Sequence, residues 1–278
     1  MSLQVGSMKL LRVIVCLCLG WLLWITTATA PAAKEPIAFA GFPSHDLEVS
    51  PFSDAEVRGL VAHLDTQLTD HQDPARWAFD ADLYLQTFVD RLQRGVLSRT
   101  QEAMVLSYLG KLQQRYPSDA ANIDKRRRAV SKLTIGKTAP EIVGEDLDGI
   151  EFRLSDYRGS VVVLTFSGDW CGACRGEYPY HRLLLELYKD QPFALLGISS
   201  DTDLEAARKA KEDRGLTYRM WWDGGESGSR KEGAIATSWG VGGWPTVYVL
   251  DKRGKIRFVN LRQEDLLKGV KQLMSESR

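Results

Sequence analysis

Two cysteines, Cys171 and Cys174, stand three positions apart in the stretch Val161–Glu177, VVVLTFSGDWCGACRGE. On a helix, residues three apart share one face. With Cys171 at the helix N-terminus, free backbone N–H groups and the positive dipole end stabilise a thiolate. The thiolate is the sulfur nucleophile, and such a setting lowers a thiol pKa from its free value of about 8.5. Thiol–disulfide chemistry follows, with Cys171 expected to be exposed and Cys174 more buried. Two other chemistries use paired cysteines. A zinc site needs two further ligands at compatible spacing, and His45, His63, His71 and His181 form no paired motif. A purely structural disulfide across so short a loop would constrain the unfolded chain little. The residues call for no metal and no cofactor.

The elements needed to position this pair are legible around it. Val161–Leu164 is apolar and β-branched, as in a strand buried on both faces. A turn at Ser167–Asp169 leads to the cysteines and a helix over Arg175–Lys189, with Leu184, Leu187 and Tyr188 expected inward. Pro179 removes one backbone donor inside that helix. Upstream, Gly136–Asp148 is extended and Ile150–Leu154 reads as a short strand. Downstream, Phe193–Ser199 is a strand, Asp203–Arg214 a helix and Tyr218–Trp222 a strand before a glycine-rich loop. Thr246–Leu250 and Lys255–Val259 flank the Asp251–Gly254 turn as a hairpin. A last helix is expected to bury Leu266, Leu267, Val270, Leu273 and Met274. The fold class is α/β, a mixed sheet flanked by helices and preceded by a small all-α domain.

The chain has 278 residues, with 36 Lys and Arg balancing 36 Asp and Glu. A net charge near zero gives no basis for nucleic-acid binding. Of four cysteines, Cys16 and Cys18 lie in an apolar N-terminal segment, so the body carries a single pair. Residues 1–33 read as a signal peptide or N-terminal membrane anchor: Lys9 and Arg12 precede an apolar run, Val13–Ile25, and Ala28-Thr29-Ala30 is a small-residue end. The run is short for a spanning helix, which needs about 20 residues. Either way the body is expected outside the cytoplasm. Residues 34–50 are a linker, 51–133 an α-helical domain, and 134–278 the α/β domain. In the helical domain, apolar stripes run Val57–Leu68, Leu85–Val96 and Met104–Leu112, with Ser53 and Ser98 as caps. The basic run Lys125-Arg126-Arg127-Arg128 is expected to be a solvated face or linker.

Residues 134–278 resemble the thioredoxin family of the TlpA/ResA type, an AhpC/TSA-related group of exported thiol-disulfide oxidoreductases. The matching pieces are Gly136-Lys137-Thr138-Ala139-Pro140, Asp148-Gly149, Leu154–Gly159, the run Trp170–Pro179 around the cysteines, and Trp244-Pro245-Thr246 with its hairpin. The resemblance implies a redox-active Cys171–Cys174 disulfide, in which Cys171 attacks a client and Cys174 resolves the mixed disulfide. It implies a cis-proline at Pro245, with Trp170, Trp244, Pro245 and Thr246 lining the client site. Glu177, three residues beyond Cys174 on the same side of the helix, matches an active-site glutamate of these relatives; the alternative is a solvent-facing helix residue. Thr165 stands where thioredoxin relatives often carry Asp. Ser167-Gly168-Asp169 replaces an aromatic-small-small run, and Gly172-Ala173 lacks thioredoxin's proline.

The resulting expectation is an exported enzyme, periplasmic or anchored facing the cell exterior, that exchanges disulfides with client proteins as a reductant. Its partners would be disulfide- or thiol-bearing clients, as in cytochrome c maturation, and a membrane or exported thiol reductant. Two alternatives stand beside it. Gly197–Trp222 also resembles peroxiredoxins, although their P-x-x-x-T-x-x-C pattern would require Pro and Thr where Leu164 and Gly168 stand. A non-catalytic protein capturing a partner through the helical domain is the other.

Overall fold

The computed structural model describes residues 49–69, 74–224 and 233–276, with the side chains of 74–80 left aside. The export segment and all but the end of the linker lie outside the described residues. Among the described residues four helices come first: α1 (Asp54–Thr69), α2 (Pro74–Leu92), α3 (Arg99–Arg115) and α4 (Ala120–Lys132). Reciprocal caps start two of them. The Ser53 amide donates to Glu56 Oε2 at 2.7 Å while the Glu56 amide donates to Ser53 Oγ, and Ser98 and Gln101 repeat the pattern before α3. Val57, Leu64 and Leu68, then Leu85, Phe88, Val89 and Leu92, then Val105, Leu109 and Leu112 are buried. Leu60, Val61, Met104 and Tyr108 only border that core, and Val96 is exposed.

The basic run departs from expectation. Lys125 and Arg126 are buried, and Arg126, 3% exposed, pairs with Asp82 of α2 at 2.8 Å. A charge leaves water at this depth only with a partner. Here the partner lies 44 residues away in sequence.

The chain continues through β1 (Val143–Glu145), β2 (Glu151–Arg153), β3 (Val161–Ser167), α5 (Gly172–Leu187), β4 (Phe193–Ser199), α6 (Leu204–Asp213), β5 (Arg219–Trp222), α7 (Ala234–Ser238), β6 (Thr246–Leu250), β7 (Ile256–Val259) and α8 (Gln263–Ser275). β1 and β2 pair antiparallel on their own. The main sheet has the order β5-β4-β3-β6-β7, with β3 parallel to β4 and antiparallel to β6. Every residue of β3 is buried, the apolar run Val161–Leu164 and also Thr165 and Ser167, as in a central strand covered on both faces.

Alternation along the strands divides the core in two. Val161, Val163, Val247 and Val249 pack with Leu184 of α5 and Leu266, Val270 and Leu273 of α8. Val162, Leu164 and Phe166 pack on the opposite face with α1–α4 and with Trp239. The N-terminal helices therefore share one continuous core with the sheet. Leu187 is a correction: it is 53% exposed at the end of α5, where the inward stripe has already rotated away. In α8, Leu267 and Met274 are only partly buried.

Candidate active site

The site forms where β3 ends. The Ser200 amide donates to Ser167 O at 2.8 Å, and the Asp169 amide donates to Asp201 Oδ1 at 2.7 Å. Arg214 binds both carboxylate oxygens of Asp169, at 3.0 and 3.3 Å, and Arg175 donates to the Asp169 carbonyl. Gly168 has no side chain to spare: a Cβ there would run into the Trp170 indole. This pinned turn delivers Cys171 to the N-cap of α5, where its sulfur accepts the Cys174 N–H at 3.1 Å.

Cys171 and Cys174 form a disulfide with their Cα atoms 5.2 Å apart. Cys174 is 1% exposed and Cys171 7%. The order agrees with expectation, but Cys171 is less open than an attacking sulfur was expected to be. Bonded to Cys174 and accepting its amide, the sulfur is drawn in along the first turn of α5.

The sheet register brings the second half of the site alongside. Phe166 of β3 faces Thr246 of β6 in antiparallel pairing, so the residue before Thr246 lies beside the end of β3. That residue is Pro245, and the Trp244–Pro245 peptide bond is cis. Thr246 is buried and donates through Oγ1 to Gly243 O at 2.7 Å, closing the loop. Trp170, 46% exposed, meets the Trp244 ring edge-on with centroids 5.5 Å apart. Ser200 holds both indoles: its carbonyl accepts Trp170 Nε1–H at 3.2 Å and its hydroxyl accepts Trp244 Nε1–H at 2.9 Å. Trp170, next to Cys171 in the chain, thus shows an exposed aromatic face with the partly buried Trp244 packed against it.

Glu177 is not a surface residue. It is 4% exposed and lies on the buried face of α5 with Cys174, Tyr178 and His181. Its Oε2 accepts the Gln263 N–H, at the start of α8, at 2.9 Å. Burial pushes its pKa up; the Gln263 amide and the Arg262 guanidinium pull the other way, and Glu264 adds a small upward push. Arg262 donates to Pro245 O, to Leu261 O at 3.0 Å and to Asn260 Oδ1 at 3.4 Å. Asn260 and Gln263, on either side of it, have φ of 59° and 49°. A non-glycine residue in the left-handed region costs about 1–3 kcal/mol and persists where the surroundings impose it. Here the turn serves two groups at once, the proline carbonyl and the Glu177 carboxylate.

Beneath the cysteines, Thr165 Oγ1, Ser167 Oγ and His181 Nε2 are buried without a hydrogen-bond partner among the described residues. Thr165 supplies no carboxylate. Burial pushes the His181 pKa down to about 3, so its ring is neutral at pH 7. Glu177 is thereby the carboxylate that α5 itself places on the Cys174 face. Ser200, Arg262 and Gln263 were not singled out in sequence. Ser200 lies within Gly197–Trp222, the segment that resembles peroxiredoxins, and Arg262 and Gln263 lie in an unremarkable link before the last helix.

The AhpC/TSA family model matches residues 135–259. The thiol-disulfide oxidoreductase ResA of Geobacillus thermodenitrificans is 34% identical over 149 residues, covering 52% of this chain and 80% of that protein. ResA of Geobacillus kaustophilus is 34% identical over 137 residues, 48% of this chain and 75% of that protein. Among solved structures, the thioredoxin domain of a thiol-disulfide oxidoreductase from Bacteroides vulgatus is 30% identical and covers 52% of this chain and all of that one, with a TM-score of 0.46.

Proposed function

The chain belongs to the TlpA/ResA-like thiol-disulfide oxidoreductases, and from that premise we propose that it reduces disulfides of exported client proteins through Cys171 and Cys174. The observation that carries this reading is the pair itself: a disulfide at the N-cap of α5, bordered by the cis Trp244–Pro245 loop and two indoles. In the reduced protein the Cys171 thiolate attacks one sulfur of a client disulfide. A mixed disulfide forms, and the client's other sulfur leaves as a thiolate and takes up a proton. Cys174 then loses its proton, attacks the Cys171 sulfur and releases the second client thiol. Two electrons have moved: the client is reduced and Cys171–Cys174 is oxidised.

The N-terminus of α5 favours the Cys171 thiolate. Cys174 is buried, which opposes ionisation, and Glu177 on the same helix face is the proton acceptor in this scheme. The client segment lies as an extended strand against the cis-proline loop, its side chains on Trp170 and Trp244. A dithiol reductant at the membrane or outside it regenerates the protein. The export reading rests on residues 1–33. Among the described residues no helix is long and apolar enough to cross a membrane. A thiol peroxidase has less support, since Leu164 is an apolar core residue of β3 where peroxidases need proline.

Reduction of insulin by the full chain, with dithiothreitol as electron donor, tests the function. Turnover lost in Cys171→Ser is expected. No turnover in the wild type, or peroxide consumption in its place, would overturn the reading. Protease accessibility in intact cells and spheroplasts tests export, and a body protected in the cytoplasm would contradict it.

A further inference from the structure

The helices α1–α4 carry no sequence feature that explains their presence beside a redox domain. Their contact with the site is specific. On α2, Asp82, Gln86 and Asp90 recur at spacings of four, and Gln93 follows three residues on, just past the helix end with its amide still bonded to Val89 O, so the four make one stripe. Arg126 of α4 binds Asp82 at 2.8 Å and reaches Gln86 Oε1 at 3.4 Å. Gln86 and Arg126 in turn lie directly against the backbone that leads into the cis-proline. A Cβ added at Gly242 would stand 2.6 Å from Gln86 Oε1 and 2.7 Å from both terminal nitrogens of Arg126. One added at Gly243 would stand 3.0 Å from Gln86 Nε2. Real Cβ atoms do not approach polar atoms so closely, so the two glycines allow the loop to rest on this polar surface.

Further along the stripe, Gln93 Nε2 donates to the Tyr248 hydroxyl at 3.3 Å and to Leu133 O at 3.1 Å, tying α2 to β6 two residues past Thr246. From the other side Arg262 donates to Pro245 O. The loop is held between them. Burial pushes the Asp90 pKa up, and the nearby Arg126, Arg94 and Arg262 guanidinium groups counter that push only in part.

We infer that the polar stripe of α2, with Arg126, is a positioning surface for client binding: it fixes the loop through Gly242 and Gly243 so that Pro245 and Trp244 meet a client strand. This rests on the reading of the site as a disulfide reductase of polypeptide clients. Gln86 and Arg126 touch no client themselves and act through the loop. A displacement of about 1 Å at a positioning group is enough to cost up to a hundredfold in rate. The dependence should be selective. A peptide disulfide must pair with the loop, whereas a small disulfide needs only the sulfurs.

The test compares the full-length reduced protein against oxidised insulin and against 2-hydroxyethyl disulfide. Gly242→Ala puts a methyl group where Gln86 Oε1 and the Arg126 terminal nitrogens lie, so the loop and these side-chain ends must part. The expected result is a rise in KM for insulin and a fall of about tenfold in the ratio of insulin to small-disulfide kcat/KM. Adding Gln86→Ala vacates one contact and gives Arg126 room to shift, so Gly242→Ala/Gln86→Ala is expected to recover part of that ratio, up to the level of Gln86→Ala alone. An equal fall on both substrates, or no recovery in the double variant, would overturn the inference. Should Gly242→Ala fail to fold, Gln86→Ala alone decides: it removes one side of the rest and should lower the ratio while the melting point stays near wild type. An unchanged ratio there would overturn the inference as well. A wild type that reduces the small disulfide but not insulin would overturn the client reading itself, and one that reduces neither would overturn the enzyme reading.

Discussion

Glu177 of α5 accepts the backbone N–H of Gln263, the first residue of α8, at 2.9 Å. This bond places a carboxylate at a helix N-terminus, a site that favours its charged form. Burial favours the neutral form and is the larger influence, so the pKa stands above the usual glutamate value of about 4.3. A carboxyl whose pKa is raised in this way can take a proton from a buried thiol and give it back.

Glu177→Gln keeps an acceptor for Gln263 and removes the titration. In the wild type, release of the mixed disulfide should slow as pH falls through the raised Glu177 pKa. In the variant that limb should vanish and the neutral-pH rate should fall. Stability moves oppositely. The folded state holds the Glu177 proton more tightly than the unfolded chain, so this group's stabilising contribution is present at low pH and lost as pH rises through its folded pKa. Glu177→Gln should therefore be at least as stable as wild type at pH 7, with the two equal below about pH 4. Stopped-flow reduction across pH and urea denaturation at pH 4 and 7 check both. A wild-type pH profile in the variant would remove Glu177 from the proton path.

Ser200 holds Trp244 through its hydroxyl and Trp170 through its carbonyl. Ser200→Ala removes only the first bond, worth about 0.5–1.5 kcal/mol for a neutral pair. Trp244 should loosen, Trp170 should stay, and KM for a peptide disulfide should rise several-fold with little change in kcat. Steady-state kinetics on a cyclic disulfide peptide measures this. A fall in kcat alone would mean that Ser200 serves the chemistry and not the client surface.

What was legible in sequence was what sequence makes local. Strand, turn, cysteines and helix follow one another within Val161–Leu187, so periodicity and the C-x-x-C spacing located them. Ser200, Arg262 and Gln263 reach the site across 44, 17 and 86 residues respectively. Nothing near them in the chain marks them. Arg126 was misjudged for a related reason. A run of four basic residues looks solvated, and only the fold supplies the Asp82 that lets one of them be buried. The change of texture near residue 133 is visible, yet it hides that helices and strands share a core through Val162, Leu164 and Phe166.

His181 lies on the buried face of α5 with Nδ1 3.4 Å from the Tyr218 hydroxyl. Burial holds its folded pKa near 3, well below the unfolded value of about 6.5. The unfolded chain therefore binds a proton first as pH falls. Stability from this group is complete above about pH 6.5 and declines at up to about 1.4 kcal/mol per pH unit below it, until the folded pKa is reached. His181→Leu should flatten that decline. Urea denaturation between pH 4 and 7 reads the slope, and an identical slope in the variant would show that His181 does not carry the acid sensitivity.

The most direct test of the central claim is trapping. Cys174→Ser leaves Cys171 to attack and removes the residue that resolves, so incubation of the reduced variant with a disulfide client should accumulate a covalent adduct. Mass spectrometry of the adduct is predicted to place the client on Cys171, with Cys171→Ser forming none and dithiothreitol releasing it. An adduct on Cys174 in Cys171→Ser, with none on Cys171 in Cys174→Ser, would contradict the account.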